Sequence, residues 1–313
     1  VLARGENAVI VGDPKQMPPT SFFASTSTDE ENLEEEDLES ILDDCLALNM
    51  PQSHLLWHYR SRHESLIAFS NREFYDNQLY TFPSSNDRQR MVQLVPVSGW
   101  FDRGGTRQNR AEAQAIVAEL SSRAHDPNQA GYSVGVVTFN IQQQNLISDL
   151  LDEACRSDEV LEAWAFNGSE PLFIKNLENV QGDERDVILF SIGYGPDAHG
   201  KVTMNFGPLN REGGWRRLNV AVSRARRQMI VFSTLMPEQI DLSRTSARGV
   251  AALKDFLDYA SSGNLRENAA TSGSGETVNG IVRDVCSALE ENGWKTRCAV
   301  GHSKYRLDIA VMD

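Results

Sequence analysis

No apolar run in this chain approaches the roughly 20 residues that a bilayer-crossing helix needs, so no membrane-spanning helix is expected. The four cysteines, Cys45, Cys155, Cys286 and Cys298, are scattered with no CxxC spacing. That pattern argues against a zinc site or a disulfide framework, and for reduced thiols that pack as small hydrophobes. The first residues, VLARGENAVIVGD, lack the charged, apolar and cleavage regions of a secretory leader. A soluble, cytoplasmic protein with no membrane partner is the resulting expectation. Val1 stands where an initiator Met would be, and the chain reads as a piece of a longer polypeptide.

Positive charge is also scarce: 30 Lys and Arg face 44 Asp and Glu, for a net charge of −14. Such a balance normally disfavours a nucleic-acid partner, but the distribution of charge matters more than its sum. Residues 29 to 39, DEENLEEEDLE, hold eight acidic groups and no basic one, so more than half of the excess sits in one solvated run. Residues 211 to 227, REGGWRRLNVAVSRARR, hold six arginines against one glutamate. An anionic partner is expected there.

What is abundant is alternation. Apolar, β-branched runs at 8–12, 92–97, 134–139, 172–177, 186–192 and 229–234 are separated by helical patterns. Residues 110 to 124 put Ala113, Ile116, Val117 and Leu120 on one stripe, and residues 141 to 156 do the same with Ile147, Leu150, Leu151 and Ala154. Apolar strands separated by helices imply a mostly parallel sheet with right-handed crossovers, in an α/β fold. In such sheets ligands bind beyond the carboxyl ends of the strands, which draws attention to DPKQMPP, FNIQQQ and GYGPD. At 313 residues about two domains are expected. A Ser-, Gly- and Asn-rich stretch, 261–276, reads as a linker. Beyond it lie an amphipathic helix through Ile281, Val285, Ala288 and Leu289, ended at Gly293, and two strands around a Gly-His-Ser turn.

Four segments carry candidate chemistry. The run AVIVGDPKQMPPT places Gln16 after a Gly-Asp turn stiffened by prolines, although a surface glutamine in a proline-rich turn is an equal reading. In HYRSRHESLIAFSNREFY, Tyr59 precedes Arg60 at what reads as the start of a helix, offering a flat face for a base and a fork for a phosphate. In VQGDERDVILFS, Gly182 permits close backbone approach two residues from the Glu184 carboxylate. In LNVAVSRARRQMIVF, Arg224, Arg226 and Arg227 follow a short helix, and arginine recognises phosphate bidentately while staying charged.

In this order and at these distances, the segments resemble the C-terminal half of superfamily 1 helicases of the nonsense-mediated-decay type. GDPKQMPPT is similar to that family's third motif, HYRSRHESLIAFSNREFY to its fourth, VGVVTFNIQQQ to the strand and turn that follow, VQGDERDVILFS to its fifth and LNVAVSRARRQMIVF to its sixth. The resemblance covers roughly residues 1 to 240. It implies a RecA-like parallel sheet of the P-loop NTPase kind, with 1–50 closing a first motor domain, 51–260 forming the second, 261–276 the linker and 277–313 a small α/β segment.

The resemblance also implies roles. Gln16 would sense the γ-phosphate, Tyr59 would lie against the adenine, and Arg60 and Arg224 would reach the γ-phosphate. Gly182 and Glu184 would sit at the ribose and phosphates, and Pro18, Pro19, Thr138 and Asn140 along a single strand. ATP and Mg²⁺ would be the cofactors. Single-stranded nucleic acid, DNA favoured over RNA, would be the partner, together with the missing N-terminal motor domain of the same chain.

Two elements of such a motor are missing. No Gly-Lys-Ser/Thr occurs anywhere, and no Asp-Glu pair follows an apolar strand, whereas phosphoryl transfer on this fold uses both. The expectation is that the chain begins inside the first motor domain and alone does not hydrolyse ATP. The segment VRDVCSALEENGWKTRCAVGHSKYRLDIAVMD resembles the start of a very-short-patch-repair-like endonuclease, which would make Asp308 a Mg²⁺ ligand, although Val282 stands where such domains place a glutamate. Three readings stand side by side: the motor half of an ATP-dependent helicase or translocase, a noncatalytic nucleic-acid-binding module on the same fold, and a nuclease loaded by the motor half.

Overall fold

The structure is a computed structural model that describes residues 5–18, 40–84, 89–265, 280–301 and 303–312. The chain divides into two compact units, 1–55 and 56–313. The first holds the Gln16 turn and helix α1 (Ile41–Ala47).

In the second unit the apolar runs become a five-stranded sheet of β1 (Val92–Pro96), β2 (Val134–Thr138), β3 (Phe173–Asn176), β4 (Arg185–Ser191) and β5 (Ala225–Ser233). Every pairing is parallel, in the order β1-β5-β4-β2-β3. All five residues of β2 are buried, as a strand covered on both faces requires. One face presents Val134, Val136, Val187, Leu189, Ile230 and Phe232 to Ile116 and Leu120 of α3 (Arg110–His125) and to Ile147 and Leu151 of α4 (Ile141–Cys155), with Leu161 of α5 (Glu159–Phe166) at the edge. On the other face lie α2 (Ser65–Phe74), α6 (Gly214–Val222) and α7 (Arg248–Ser262). Phe190 of β4 meets Phe256 of α7 at 6.3 Å between ring centroids, and Phe256 meets Phe69 of α2 at 5.2 Å. Gly135 is a close-approach glycine: a Cβ there would lie 2.3 Å from the Phe173 ring on the neighbouring strand. This is an α/β RecA-like architecture, as expected.

The C-terminal helix is α8 (Gly280–Glu291), and the two strands are an antiparallel hairpin, β6 (Lys295–Val300) and β7 (Leu307–Met312). The hairpin turn packs within the second unit against the 57–81 segment: the Thr81 amide donates to Ser303 Oγ at 3.2 Å, and Tyr305 meets the edge of Trp57 at 5.2 Å.

Three expectations are corrected. Residues 8–12 are not a strand: they pair with no other segment among the described residues, and Val9 and Val11 are exposed. An apolar β-branched run has strand propensity, but a strand needs a neighbour to complete its ladder. Tyr59 and Arg60 do not begin a helix. They lie in non-helical chain ahead of α2, where Arg62 N–H donates to the Arg226 carbonyl at 2.8 Å and fastens this segment beside β5. Finally, α7 continues to Ser262, into the stretch read as linker; residues 266–279 lie outside the described residues, as do Pro19 and the acidic run 29–39.

Candidate functional site

The site residues of the second unit gather at opposite ends of the sheet. Gly182 and Glu184 immediately precede β4, and Arg224 immediately precedes β5, so both loops lie at the amino edge. Segment 58–62 runs alongside and delivers Arg60, whose Nε donates to Glu184 Oε2 at 2.6 Å and whose Nη1 donates to the Ser223 carbonyl at 3.3 Å.

Arg224 caps the end of its own helix. Its Nε donates to the Val220 carbonyl at 2.6 Å and its Nη2 to Ser223 Oγ at 3.1 Å. Only 1% of the residue is exposed. Burial, followed by the repulsion of Arg60, pushes its pKa down to about 10, so it remains charged at neutral pH. Two guanidinium groups thus share one edge, with Glu184 partly neutralising them, and a polyphosphate is the type of ligand that would satisfy such crowded positive charge.

His58 completes this corner, and sequence reasoning missed it. Its Nε2 accepts the Ser61 N–H at 3.2 Å and lies 2.8 Å from Ser61 Oγ. Burial, then Arg60 and Arg224, lowers its pKa to about 4. It is therefore a neutral acceptor that folds the chain sharply ahead of Arg60. Tyr59, by contrast, is 91% exposed, with its ring open to a flat ligand.

Gly182 adopts φ +91, a conformation side chains avoid, and a Cβ there would meet nothing within 4 Å. Gly182→Ala is expected to cost about 1–2 kcal/mol from backbone strain alone, read as a fall in urea midpoint without a change in slope. A null effect would mean the loop relaxes at no cost.

The arginine-rich segment is less available than its composition suggests. Arg226 pairs with Glu170 and lies 3.3 Å from Asp186; Arg227 lies 3.4 Å from Asp186; Arg217 pairs with Glu178 at 2.6 Å. The anions expected there are largely the chain's own carboxylates, brought in from other loops.

At the carboxyl edge, Thr138 is fully buried and its hydroxyl donates to the Asn140 carbonyl at 2.9 Å. Asn140 is the N-cap of α4, its Oδ1 accepting the Gln143 N–H at 2.7 Å. Behind them lies a residue that the sequence reading passed over, Glu112. Its carboxylate is completely buried and accepts the N–H of Gly193 at 2.7 Å, the N–H of Thr234 at 2.8 Å and the hydroxyl of Ser191 at 2.8 Å. Asn109 Nδ2 at 3.1 Å and Thr234 Oγ1 at 3.2 Å add two more donors. Glu112 thereby ties together the loops that leave β4 and β5. The signal was present: a carboxylate adjacent to Ala113 on the apolar stripe of α3, which only a buried network could accommodate.

In the first unit, Gln16 sits half-buried in a turn organised by Asp13. Its Nε2 donates to Asp13 Oδ2 at 2.9 Å, its N–H to the Asp13 carbonyl at 3.1 Å, and Asp13 Oδ1 accepts Lys15 N–H at 2.9 Å. Pro18 follows, also half-buried. Asp308 is exposed on β7. Among the described residues no three His, Cys, Asp or Glu side chains converge, and no helix is long and apolar enough to cross a membrane.

Comparison with known proteins agrees with this architecture. A family described as an AAA domain matches residues 37–235. The chain belongs to that family, and its second unit is a superfamily 1 helicase-like motor domain. It is 33% identical over 273 residues to "Uncharacterized ATP-dependent helicase MG140" of Mycoplasma genitalium, an alignment covering 83% of this chain and 24% of that protein. It is 24% identical over 238 residues to the mouse "5'-3' DNA helicase ZGRF1", covering 74% and 11%. With the yeast "DNA polymerase alpha-associated DNA helicase A" it shares 24% over 263 residues, covering 72% and 34%. The chain spans about a quarter of the length of the Mycoplasma relatives it matches.

Proposed function

We propose that this chain supplies the second motor domain of an ATP-dependent helicase or translocase acting on single-stranded nucleic acid. The observation that carries the reading is the pair Arg60 and Arg224 at the amino edge of β4 and β5, close enough to repel each other, with Glu184 held by Arg60. Phosphoryl transfer asks little covalent chemistry of a protein and much electrostatic stabilisation, and an arginine arriving from a second domain is worth about 10³ to 10⁵ in rate. Dependence on an arginine held by a separate domain makes hydrolysis conditional on closure, which is how ATP couples to movement.

In this reading Arg60 exchanges Glu184 for the γ-phosphate, Tyr59 stacks on the adenine, and Gln16 reports the phosphate to the strand. Pro18, Pro19, Thr138 and Asn140 lie along that strand; buried Thr138 acts through the turn it shapes. ATP is the nucleotide and Mg²⁺ its metal. DNA is favoured over RNA because two of the relatives are named as DNA helicases.

The test is ATP hydrolysis by the intact protein with and without single-stranded DNA, comparing wild type with Arg60→Ala. Strong stimulation in the wild type, lost on the substitution while the cooperative melt is kept, is the expected outcome. An unstimulated wild type, or a variant that matches it, would sink the proposal and favour a noncatalytic binding module.

A further inference from the structure

Two cysteines read from spacing as separate thiols are brought together near the C-terminal end of the second unit. Cys286 lies on the inner face of α8 and Cys298 on β6, twelve positions apart, with Sγ atoms 2.8 Å from each other. Cys286 is buried and Cys298 is exposed. We propose that Cys286 and Cys298 are a modification site: a dithiol that closes to an intramolecular disulfide on reaction with a low-molecular-weight disulfide.

Three features of the geometry carry this. A sulfur–sulfur bond is about 2.0 Å long, so closure needs less than ~1 Å of approach between groups on elements that already pack together. One sulfur is open to solvent and the other is not, which assigns distinct roles. The pair also stands apart from the other two thiols, since Cys155 is the buried last residue of α4 and Cys45 belongs to the first unit.

The chemistry balances in two steps of thiol–disulfide exchange. The Cys298 thiolate attacks a sulfur of glutathione disulfide, forming a mixed disulfide and releasing one glutathione thiolate. Cys286, having given up its proton to solvent, attacks the Cys298 sulfur, forms the Cys286–Cys298 bond and releases the second glutathione. Two electrons leave the protein and reduce one glutathione disulfide to two thiols. The product fastens α8 to β6, the strand that pairs with the Asp308-bearing β7 through the Cys298–Ile309 register.

The experiment treats the folded full chain with glutathione disulfide, quenches with acid, alkylates the denatured protein and maps non-reduced peptides. Wild type is expected to fall from four alkylatable thiols to two, to become lighter by two hydrogen masses, and to yield a linked peptide pair containing residues 286 and 298. Cys286→Ser is expected to trap a stable glutathione adduct on Cys298, whereas Cys298→Ser should leave Cys286 unmodified because its sulfur is covered. The double variant Cys45→Ser/Cys155→Ser should close like the wild type. Retention of all four thiols, an unresolved glutathione adduct on wild type, or a link to Cys45 or Cys155 would overturn the assignment. Because the mapping on wild type needs no substitution, a variant that fails to fold does not blunt the test.

Discussion

Alanine at position 224 is expected to lower nucleic-acid-stimulated ATP hydrolysis by the intact protein about 10³-fold or more, the range over which a transition-state arginine acts. The expectation rests on burial and placement. Arg224 is held by the Val220 carbonyl and the Ser223 hydroxyl beside Arg60, and its guanidinium keeps its charge although burial and that neighbour lower its pKa to about 10. Part of any loss could come from unfolding, because the side chain fills space and ties off a helix end. Arg224→Lys separates the two effects. It keeps a cation and most of the volume but loses the planar fork, so its melting temperature should stay near wild type while turnover stays low. A lysine variant that restores most of the turnover would show that charge alone suffices and would remove Arg224 from the transition state.

Glu112→Ala is expected to produce the largest stability loss of any single substitution considered, on the order of 3 kcal/mol or more. It would orphan two main-chain N–H groups, two hydroxyls and an amide at once, and each buried unsatisfied donor costs about 1–3 kcal/mol against the roughly 5–15 kcal/mol that holds a domain together. Urea unfolding at constant slope is the measurement. A shift below ~1 kcal/mol would mean that water replaces the carboxylate at no cost.

Glu112 also sets a pH dependence whose sign can be worked out. Complete burial raises its pKa from 4.5 to about 7, outweighing its hydrogen bonds, which act in the opposite direction. A folded-state pKa above the unfolded value means that the native state binds the proton more tightly. The associated stability is therefore fully present below about pH 4.5 and is lost as pH rises through 7. At roughly 1.4 kcal/mol per pKa unit the total is about 3 kcal/mol. The difference in stability between wild type and Glu112→Gln should accordingly shrink as pH rises from 4.5 to 8. A difference that stays constant across that range would place the Glu112 pKa near its ordinary value.

Particular residues show why some of this was legible in advance. The runs at 134–139, 186–192 and 229–234 read as strands and are strands, because a parallel strand covered on both faces has to be apolar along its length. The stripes of α3 and α4 followed from a period of 3.6. Residues 8–12 carry the same kind of run, yet pattern cannot say whether another strand stands alongside. Tyr59 and Arg60 read as a helix start because helical apolar spacing begins at Leu66, just beyond them. The neighbouring Arg62 N–H fixes the segment by a hydrogen bond to the Arg226 carbonyl, 164 residues further along the chain.

The amino acids alone dictated the alternation of strands and helices, the candidate arginines and the turn that carries Gln16, since each depends on local propensity or on a short spacing. Folding settled which charges are spent and which remain. Arg226, Arg227, Arg217 and Arg60 are matched to carboxylates from elsewhere in the chain, whereas the buried Arg224 is held by the Val220 carbonyl and the Ser223 hydroxyl. It also carried Glu112 into the core and set Cys286 against Cys298. Those outcomes depend on contacts between residues far apart in the chain, and long-range proximity comes from packing two layers of helices onto one sheet, which no local period encodes.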